Sequence, residues 1–101
     1  MNNKFLSTLG LCRRAARLNY GFDMVMAGLH KTDLLLLAKD CSDRTRKNME
    51  EAAKEYSIRL LMLPYTKEDL GAGIGTKPVG IIGITDGGFA KSLVQTIEGG
   101  K

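Results

Sequence analysis

The chain has 101 residues, of which 15 are Lys or Arg and 11 are Asp or Glu, so its formal net charge is +4. With 44% hydrophobic and 26% charged residues it can form a core, which excludes an intrinsically disordered chain. Its length predicts a single domain, residues 1–101, that needs no disulfide or structural metal. Residues 1–22 contain no acidic residue and account for the whole net positive charge with four basic residues, Lys4, Arg13, Arg14 and Arg17.

Targeting and redox signals are missing from the sequence. The first fifteen residues lack the apolar core of a signal peptide, and the longest apolar run, Leu34–Ala38, is too short to cross a bilayer. Cys12 and Cys41 are 29 positions apart, without the spacing of a metal or redox motif. We therefore expect a cytoplasmic protein with reduced thiols and no membrane partner.

The first half of the chain predicts two helices and a strand. Asn3 is a suitable cap for a first helix, which ends near Gly21. The apolar stripe of this helix is Phe5, Leu9, Cys12 and Ala16. A short second helix follows, with Phe22, Val25, Met26 and Leu29 on one side. Leu34–Ala38 shows no alternation, which predicts a strand buried on both faces.

The second half continues this alternation of helix and strand. Ser42 caps a third helix whose inward residues are Met49, Ala52, Ala53 and Tyr56. Arg59–Leu63 is predicted as a second buried strand, and Thr66 with Asp69 begins a fourth helix that Gly71, Gly73 and Gly75 break into a loop. Val79–Ile84 is the third strand, and a last helix runs from Asp86 to Gly99-Gly100. The predicted fold is α/β, a three-layer α/β/α sandwich around a buried sheet.

Residues for catalysis are few. His30 is the only histidine, and Cys41 follows a buried strand without a visible base beside it. Gly87-Gly88 lies between a strand and a helix, where backbone N–H groups can face a phosphate, but Asp86 adjoins it. We expect no enzyme, no cofactor and no metal. A small nucleotide-binding enzyme that uses Cys41 or Gly87-Gly88 stays open as a weaker alternative.

The arginines of the first helix favour binding of a polyanion. Arg13, Arg14 and Arg17 are three and four residues apart, which predicts one cationic side, and Gly10 leaves room for a backbone to approach. Asn19 offers a donor and an acceptor to a base edge. A second candidate is the loop around Lys77, which Pro78 restrains and where Val79 presents apolar surface.

Several segments, taken together in their order along the chain, resemble those of a known protein family. The chain resembles the bacterial L-seven-Ae-type ribosomal protein family, and within it the YlxQ-type branch, in Leu9–Leu18, Gly21–Asp23, Leu34–Asp40, Asp69–Gly71 with Ile74-Gly75, and Ile84–Asp86 with Gly88–Lys91. The resemblance covers essentially the whole chain. It implies a mixed four-stranded sheet, with a fourth short strand near Leu18–Tyr20.

The resemblance also implies binding to structured RNA, typically a kinked stem with sheared G·A pairs. The family reads it with a Gly-x-Asn-Glu segment, a later Lys and the loop before the last strand. Gly21 matches the Gly, whereas Asp23, Met24 and Ala27 replace the Asn, Glu and Lys. A carboxylate cannot donate to a base and repels phosphate, which shifts binding toward the arginines. The candidate RNA-binding residues are Arg13, Arg14, Arg17, Asn19, Gly21, Asp23, Gly75, Thr76, Lys77, Pro78 and Val79.

The expected function is therefore that of a non-enzymatic RNA-binding protein associated with the ribosome. Structured RNA, ribosomal or kink-turn-like, is the expected partner, and DNA is not. The alternative is a protein–protein interaction adaptor of the same fold. The segment Gly21–Met24 favours this alternative, because Phe22 and Met24 would make an exposed apolar contact.

Overall fold

The computed structural model describes residues 3–99. Five helices, four strands and one 3₁₀ turn follow one another along this part of the chain. Their bounds are α1 Lys4–Arg14, β1 Leu18–Tyr20, α2 Phe22–Ala27, the 3₁₀ turn Leu29–Lys31, β2 Leu34–Leu37, α3 Asp43–Tyr56, β3 Arg59–Met62, α4 Lys67–Ile74, β4 Ile81–Ile84 and α5 Gly87–Glu98. Gly99 caps α5 as predicted, while Gly100 lies outside the described residues.

Side-chain caps begin the helices where the sequence predicts them. The Asn3 side chain accepts from the Leu6 N–H, and Ser42 accepts from Thr45. At α4, Thr66 and Asp69 form a complete capping box, each side chain accepting from the other residue's N–H. Each cap satisfies an amide that has no partner within its helix, which fixes the position where the helix starts.

The sheet is mixed, with strand order β1-β4-β2-β3. β2 and β3 are parallel, whereas β4 pairs antiparallel with both β1 and β2. The short strand implied by the family resemblance is therefore present at Leu18–Tyr20, paired with Ile82–Ile84. It places the end of α1 and the start of α2 beside the last strand.

Helices cover both faces of this sheet, which confirms the α/β/α sandwich. On one face α1, α4 and α5 pack against Leu34 and Leu36, and on the other α2 and α3 pack against Leu35 and Leu37. All four leucines of β2 are buried, since this strand has a neighbour on each side and a helix layer on each face. The uninterrupted apolar run is explained by that position.

The prediction of a second fully buried strand is wrong. β3 lies at the sheet edge, and its side chains are exposed at Arg59 and Met62 and half-buried at Leu60 and Leu61. Tyr56, predicted to point inward, is 46% exposed at the end of α3. An edge position leaves one side of the strand and the adjoining helix end without a neighbouring strand, so apolar content alone overestimates burial.

The glycines of α4 do not break the helix. α4 continues through Gly71 and Gly73 to Ile74 and ends at Gly75, whose φ of 80° is left-handed. Gly71 is needed for packing, because a Cβ there would lie 2.9 Å from the Pro78 Cα and closer still to the Lys77 carbonyl oxygen. These glycines let the loop before β4 lie directly against the helix.

Among residues 3–99, no helix combines the length and apolar character that a membrane crossing requires.

Candidate nucleic-acid interface

Two segments distant in sequence form an open groove at one end of the sheet. Gly21, at the start of α2, lies across from the loop between α4 and β4, and Arg13 and Tyr20 complete the walls. The groove has a volume of about 490 Å³. We call it the loop groove; its lining residues are Arg13, Tyr20, Gly21, Gly75, Thr76, Lys77, Pro78 and Val79.

Backbone hydrogen bonds hold both rims of the loop groove. The Gly21 N–H donates to the Ile81 carbonyl at 3.0 Å, with a φ of 85° that favours glycine. Thr76 N–H donates to Gly71 at 2.8 Å, and Val79 N–H donates to Lys67 at 3.1 Å. Val79 is 7% exposed and belongs to the core, so it supports the loop from below. Lys77 and Pro78 are the exposed part of the rim.

Arg13 connects three elements beside this groove. Its Nη1 donates to the Ile74 carbonyl at 2.7 Å and to the Gly75 carbonyl at 3.4 Å. Its Cζ lies 5.3 Å from the centroid of the Tyr20 ring, within range of a cation–π contact. Arg13 therefore holds the C-terminus of α4 against α1 and β1, in addition to contributing charge to the groove.

A second groove adjoins the first, between α1 and α4. We call it the helix groove; it has a volume of about 490 Å³ and is lined by Gly10, Arg13, Arg14, Ala72, Gly73, Ile74 and Gly75. The helices cross closely here, because a Cβ on Gly10 would lie 3.0 Å from the Gly73 carbonyl oxygen. Arg13 and Gly75 line both grooves, so the two are continuous.

The prediction that three arginines share one helix side is wrong for Arg17. α1 ends at Arg14, and the chain turns at Ala16, whose φ is 59°. Arg17 is exposed but lies beyond the helix, where its carbonyl accepts from the Thr85 N–H at 3.0 Å. The left-handed turn also exposes Ala16, which the apolar periodicity had placed inward.

Asn19 is not brought into the loop groove. Leu18 and Tyr20 pack toward the α1 side of the sheet, so the alternation of β1 directs Asn19 to the other face. Its Nδ2 lies 2.5 Å from the position that a Cβ on Gly28 would occupy, beyond the end of α2. The Asn19 side chain thus lies on the face of β1 opposite to the face where Arg13 contacts Tyr20.

The start of α2 is exposed and partly apolar. Asp23 lies in its first turn, is exposed and does not line the loop groove. Phe22 and Met24 are each 45% exposed, and Met26 is 38% exposed. Of the residues predicted to share one side of this helix, Phe22 and Met26 are exposed, and Val25 is the buried residue of the six that form it. Phe22 and Met24 are therefore both exposed, which the adaptor alternative requires.

The sites considered for catalysis have unsuitable electrostatics. Burial raises the pKa of the Cys41 thiol, and burial together with Asp86 raises the pKa of Cys12 to about 11, so both thiols are protonated at neutral pH. At Gly87-Gly88, the Asp86 carboxylate already accepts from the Phe89 N–H at 2.9 Å and would repel a phosphate. In the part of the chain described, His, Cys, Asp and Glu side chains form no cluster of three suited to a metal.

Sequence reasoning missed the wall formed by Tyr20 and, on the α4 side of the helix groove, Ala72, Gly73 and Ile74. The signal for Tyr20 was its position two residues after Leu18 on β1, which places both on the side of α1. Ala72 and Gly73 carried no such signal, since their role depends on the crossing of α1 and α4.

Comparisons with known proteins agree with this architecture. An RNA-binding protein YlxQ of Enterococcus faecium is 31% identical over 98 residues, covering 95% of this chain and 93% of the relative. Another YlxQ, from Bacillus subtilis (strain 168), is 30% identical over 96 residues, with 89% and 91% covered.

Two solved structures share the fold. A Bacillus halodurans C protein of unknown function matches with a TM-score of 0.89 and 29% identity, covering 96% of this chain and 99% of that one. The Giardia lamblia 15.5kD RNA binding protein matches with a TM-score of 0.75 and 15% identity, covering 98% and 92%. The model of one family matches residues 3–94, which confirms the family indicated by the sequence. The chain belongs to the Ribosomal protein L7Ae/L30e/S12e/Gadd45 family.

Proposed function

We propose that this chain is a non-enzymatic RNA-binding protein that recognises a structured or kinked RNA element through the loop groove and the basic side chains around it. The observation that carries the proposal is that YlxQ relatives named as RNA-binding match nearly the whole chain. The loop groove supports it, since Gly21 and residues 75–79 meet in one open site. We further propose that the RNA is ribosomal, in keeping with the family, and that the protein acts in the cytoplasm.

Recognition by shape and by phosphate contacts fits the residues present. Base edges are poorly accessible in A-form RNA, so a protein of this kind binds where a bulge or kink opens the helix. Asp23 and Met24 replace the Asn and Glu of the family segment, and both are exposed at the start of α2. A carboxylate cannot donate to guanine acceptors. Arg14, Arg17 and Lys77 are exposed and supply the phosphate contacts.

A binding assay with two RNAs tests this proposal. One probe is a hairpin with an asymmetric bulge beside tandem G·A pairs, and the other is an uninterrupted duplex of the same composition. We expect the bulged hairpin to bind at least about tenfold more tightly, because the duplex lacks an opened element. Lys77→Ala should weaken hairpin binding, whereas Lys54→Ala on α3 removes the same charge far from the groove and serves as its control.

A crosslinking experiment in cells identifies the RNA that the protein binds. Ultraviolet crosslinking followed by sequencing should recover ribosomal RNA with the wild-type protein and less of it with Lys77→Ala. Equal affinity for both probes, together with no RNA recovered by crosslinking, contradicts the proposal.

A protein–protein adaptor is the second candidate function, and the exposed pair Phe22 and Met24 favours it. The double variant Phe22→Ser with Met24→Ser separates the two functions. Loss of a co-purifying protein with unchanged hairpin affinity would support the adaptor. Loss of hairpin affinity would instead assign these side chains to the RNA surface.

A further inference from the structure

The helix groove is a positively charged surface between α1 and α4, and Ala72 and Gly73 of its wall lie outside the segments that carry the family resemblance. The Arg14 Nη1 lies 3.7 Å from the position that a Cβ on Gly10 would occupy. The guanidinium therefore folds back over the crossing of α1 and α4 and lines the groove. Among the described residues that form the lining, two are arginines and none is acidic.

The end of α4 would ordinarily disfavour an anion here. The last carbonyls of a helix carry partial negative charge and repel phosphate. In this protein Arg13 donates to the carbonyls of Ile74 and Gly75, and the Gly71 carbonyl accepts from the Thr76 N–H. The charge of Arg13 thus offsets the negative end of the helix at the point where the two grooves meet.

The two grooves form one path. Arg13 and Gly75 line both, so a strand leaving the loop groove beside Lys77 meets the helix groove next. We infer that the helix groove binds a backbone phosphodiester of the same RNA whose structured element occupies the loop groove. Arg14 is the phosphate ligand, and Ala72–Gly75 form the wall beside it. This inference rests on the proposed RNA-binding function.

The small wall residues suit a polynucleotide backbone. Ala72 is exposed and its side chain is a single methyl group, so a sugar and its phosphate can approach α4 closely at this position. Free phosphate is not the expected ligand, because the groove is open and a single exposed guanidinium binds a small anion weakly in water. A phosphodiester attached to RNA already bound in the loop groove arrives at a high effective concentration.

Charge placed on the groove wall tests the inference. Ala72→Glu adds a carboxylate to the helix groove, and Ala72→Gln adds a neutral side chain of the same size at the same exposed helical position. With the bulged hairpin as probe, Ala72→Glu should weaken binding by about tenfold. It should also reduce the magnitude of the log–log salt slope by about one. Ala72→Gln should weaken binding less than Ala72→Glu and leave the salt slope unchanged, and inorganic phosphate should compete no better than sodium chloride at matched ionic strength.

The outcomes separate this inference from the proposed function. If the wild type binds the hairpin and Lys77→Ala weakens binding while Ala72→Glu does not, the helix groove is not a phosphate site and the proposed function stands. If Ala72→Gln weakens binding as much as Ala72→Glu, with an unchanged salt slope, the effect is steric and the inference is overturned. If the wild-type protein does not bind the hairpin, both fail. Thermal unfolding of both Ala72 variants verifies that they fold.

Discussion

Gly71 shows how one residue positions the candidate site without touching a ligand. It is buried inside α4, and the Lys77–Pro78 segment lies directly over its Cα. Glycine within a helix ordinarily costs stability relative to alanine. Here the missing side chain is what allows the loop to rest on the helix, so the local cost is offset by tertiary packing.

Replacement of Gly71 by alanine should therefore destabilise the protein and weaken RNA binding together. The added methyl cannot fit beside the Lys77 carbonyl, so we expect a loss of about 1–3 kcal/mol in the free energy of unfolding. Urea denaturation measures this loss. Gly87→Ala is the matched control, because nothing lies within 4 Å of its Cβ position and it lies in the first turn of α5. A stable Gly71→Ala variant with normal hairpin affinity would contradict this account.

Side-chain direction was the least predictable property at this scale. Residue types suggested a basic surface, yet Arg17 was placed on a helix that ends before it, and Asn19 lies on the face of β1 away from the loop groove. The direction of Arg17 depends on the left-handed turn at Ala16, a conformation that alanine rarely adopts. That of Asn19 depends on a three-residue strand whose pattern is too short to read.

At the scale of elements, Arg13 and Arg14 are adjacent in sequence but differ in what they hold. Arg13 reaches across to the end of α4 and the ring on β1, whereas Arg14 lies over its own helix near Gly10. Arg13 and Arg14 carry the same charge and are both exposed, so neither property distinguishes them. The contacts give Arg13 a stabilising role, and we propose phosphate binding for Arg14.

Neutralising each arginine separately should reveal this division. Arg13→Gln removes charged hydrogen bonds to two α4 carbonyls, so we expect about 1–2 kcal/mol of destabilisation. Arg14→Gln should change the free energy of unfolding by less than about 0.5 kcal/mol. Urea midpoints of the two variants provide the measurement.

The RNA assay completes the comparison, because Arg14→Gln should weaken hairpin binding with unchanged stability. Similar destabilisation by both substitutions would show that the contacts of Arg13 with α4 have no special role.

Element boundaries were predictable where a capping residue marks them. Ser42 and Thr66 each begin a helix at the expected position, since the capping bond is local in sequence. The end of α4 was not predictable, because its continuation through Gly71 and Gly73 depends on α1 and the loop that pack against it. Strand β1 was found by family resemblance and exists through its pairing with β4.

At the scale of the molecule, the sandwich followed from the sequence because uninterrupted apolar strands between amphipathic helices require a covered sheet. The leucines of β2 alternate between the two core clusters, which is what that arrangement demands. Strand order could not be read, since every apolar strand looks alike in sequence. The same limit made β3 appear buried, although it lies at the edge.

The charge excess of the N-terminal segment is divided by the fold. Lys4 begins α1, which separates it from Arg14 by about 15 Å along the helix axis. It lines a different cavity with Asn3 and Tyr65. Lys77, which lies far away in sequence, joins the basic surface instead. The basic surface that we propose for RNA binding therefore combines the end of α1 with the loop before β4.

The salt dependence of binding should report this local surface. With phosphate contacts from Arg14, Arg17 and Lys77, the log–log slope for the bulged hairpin should be roughly −2 to −3. The double variant Arg14→Gln with Arg17→Gln loses two phosphate contacts, so the magnitude of the slope should fall by about two. Lys47→Gln with Lys54→Gln removes the same charge from exposed positions on α3, across the sheet, and should leave the slope close to wild type. Filter binding over a series of salt concentrations measures all three slopes. Equal slopes for the two double variants would mean that net charge, and not the surface at the end of α1, governs binding.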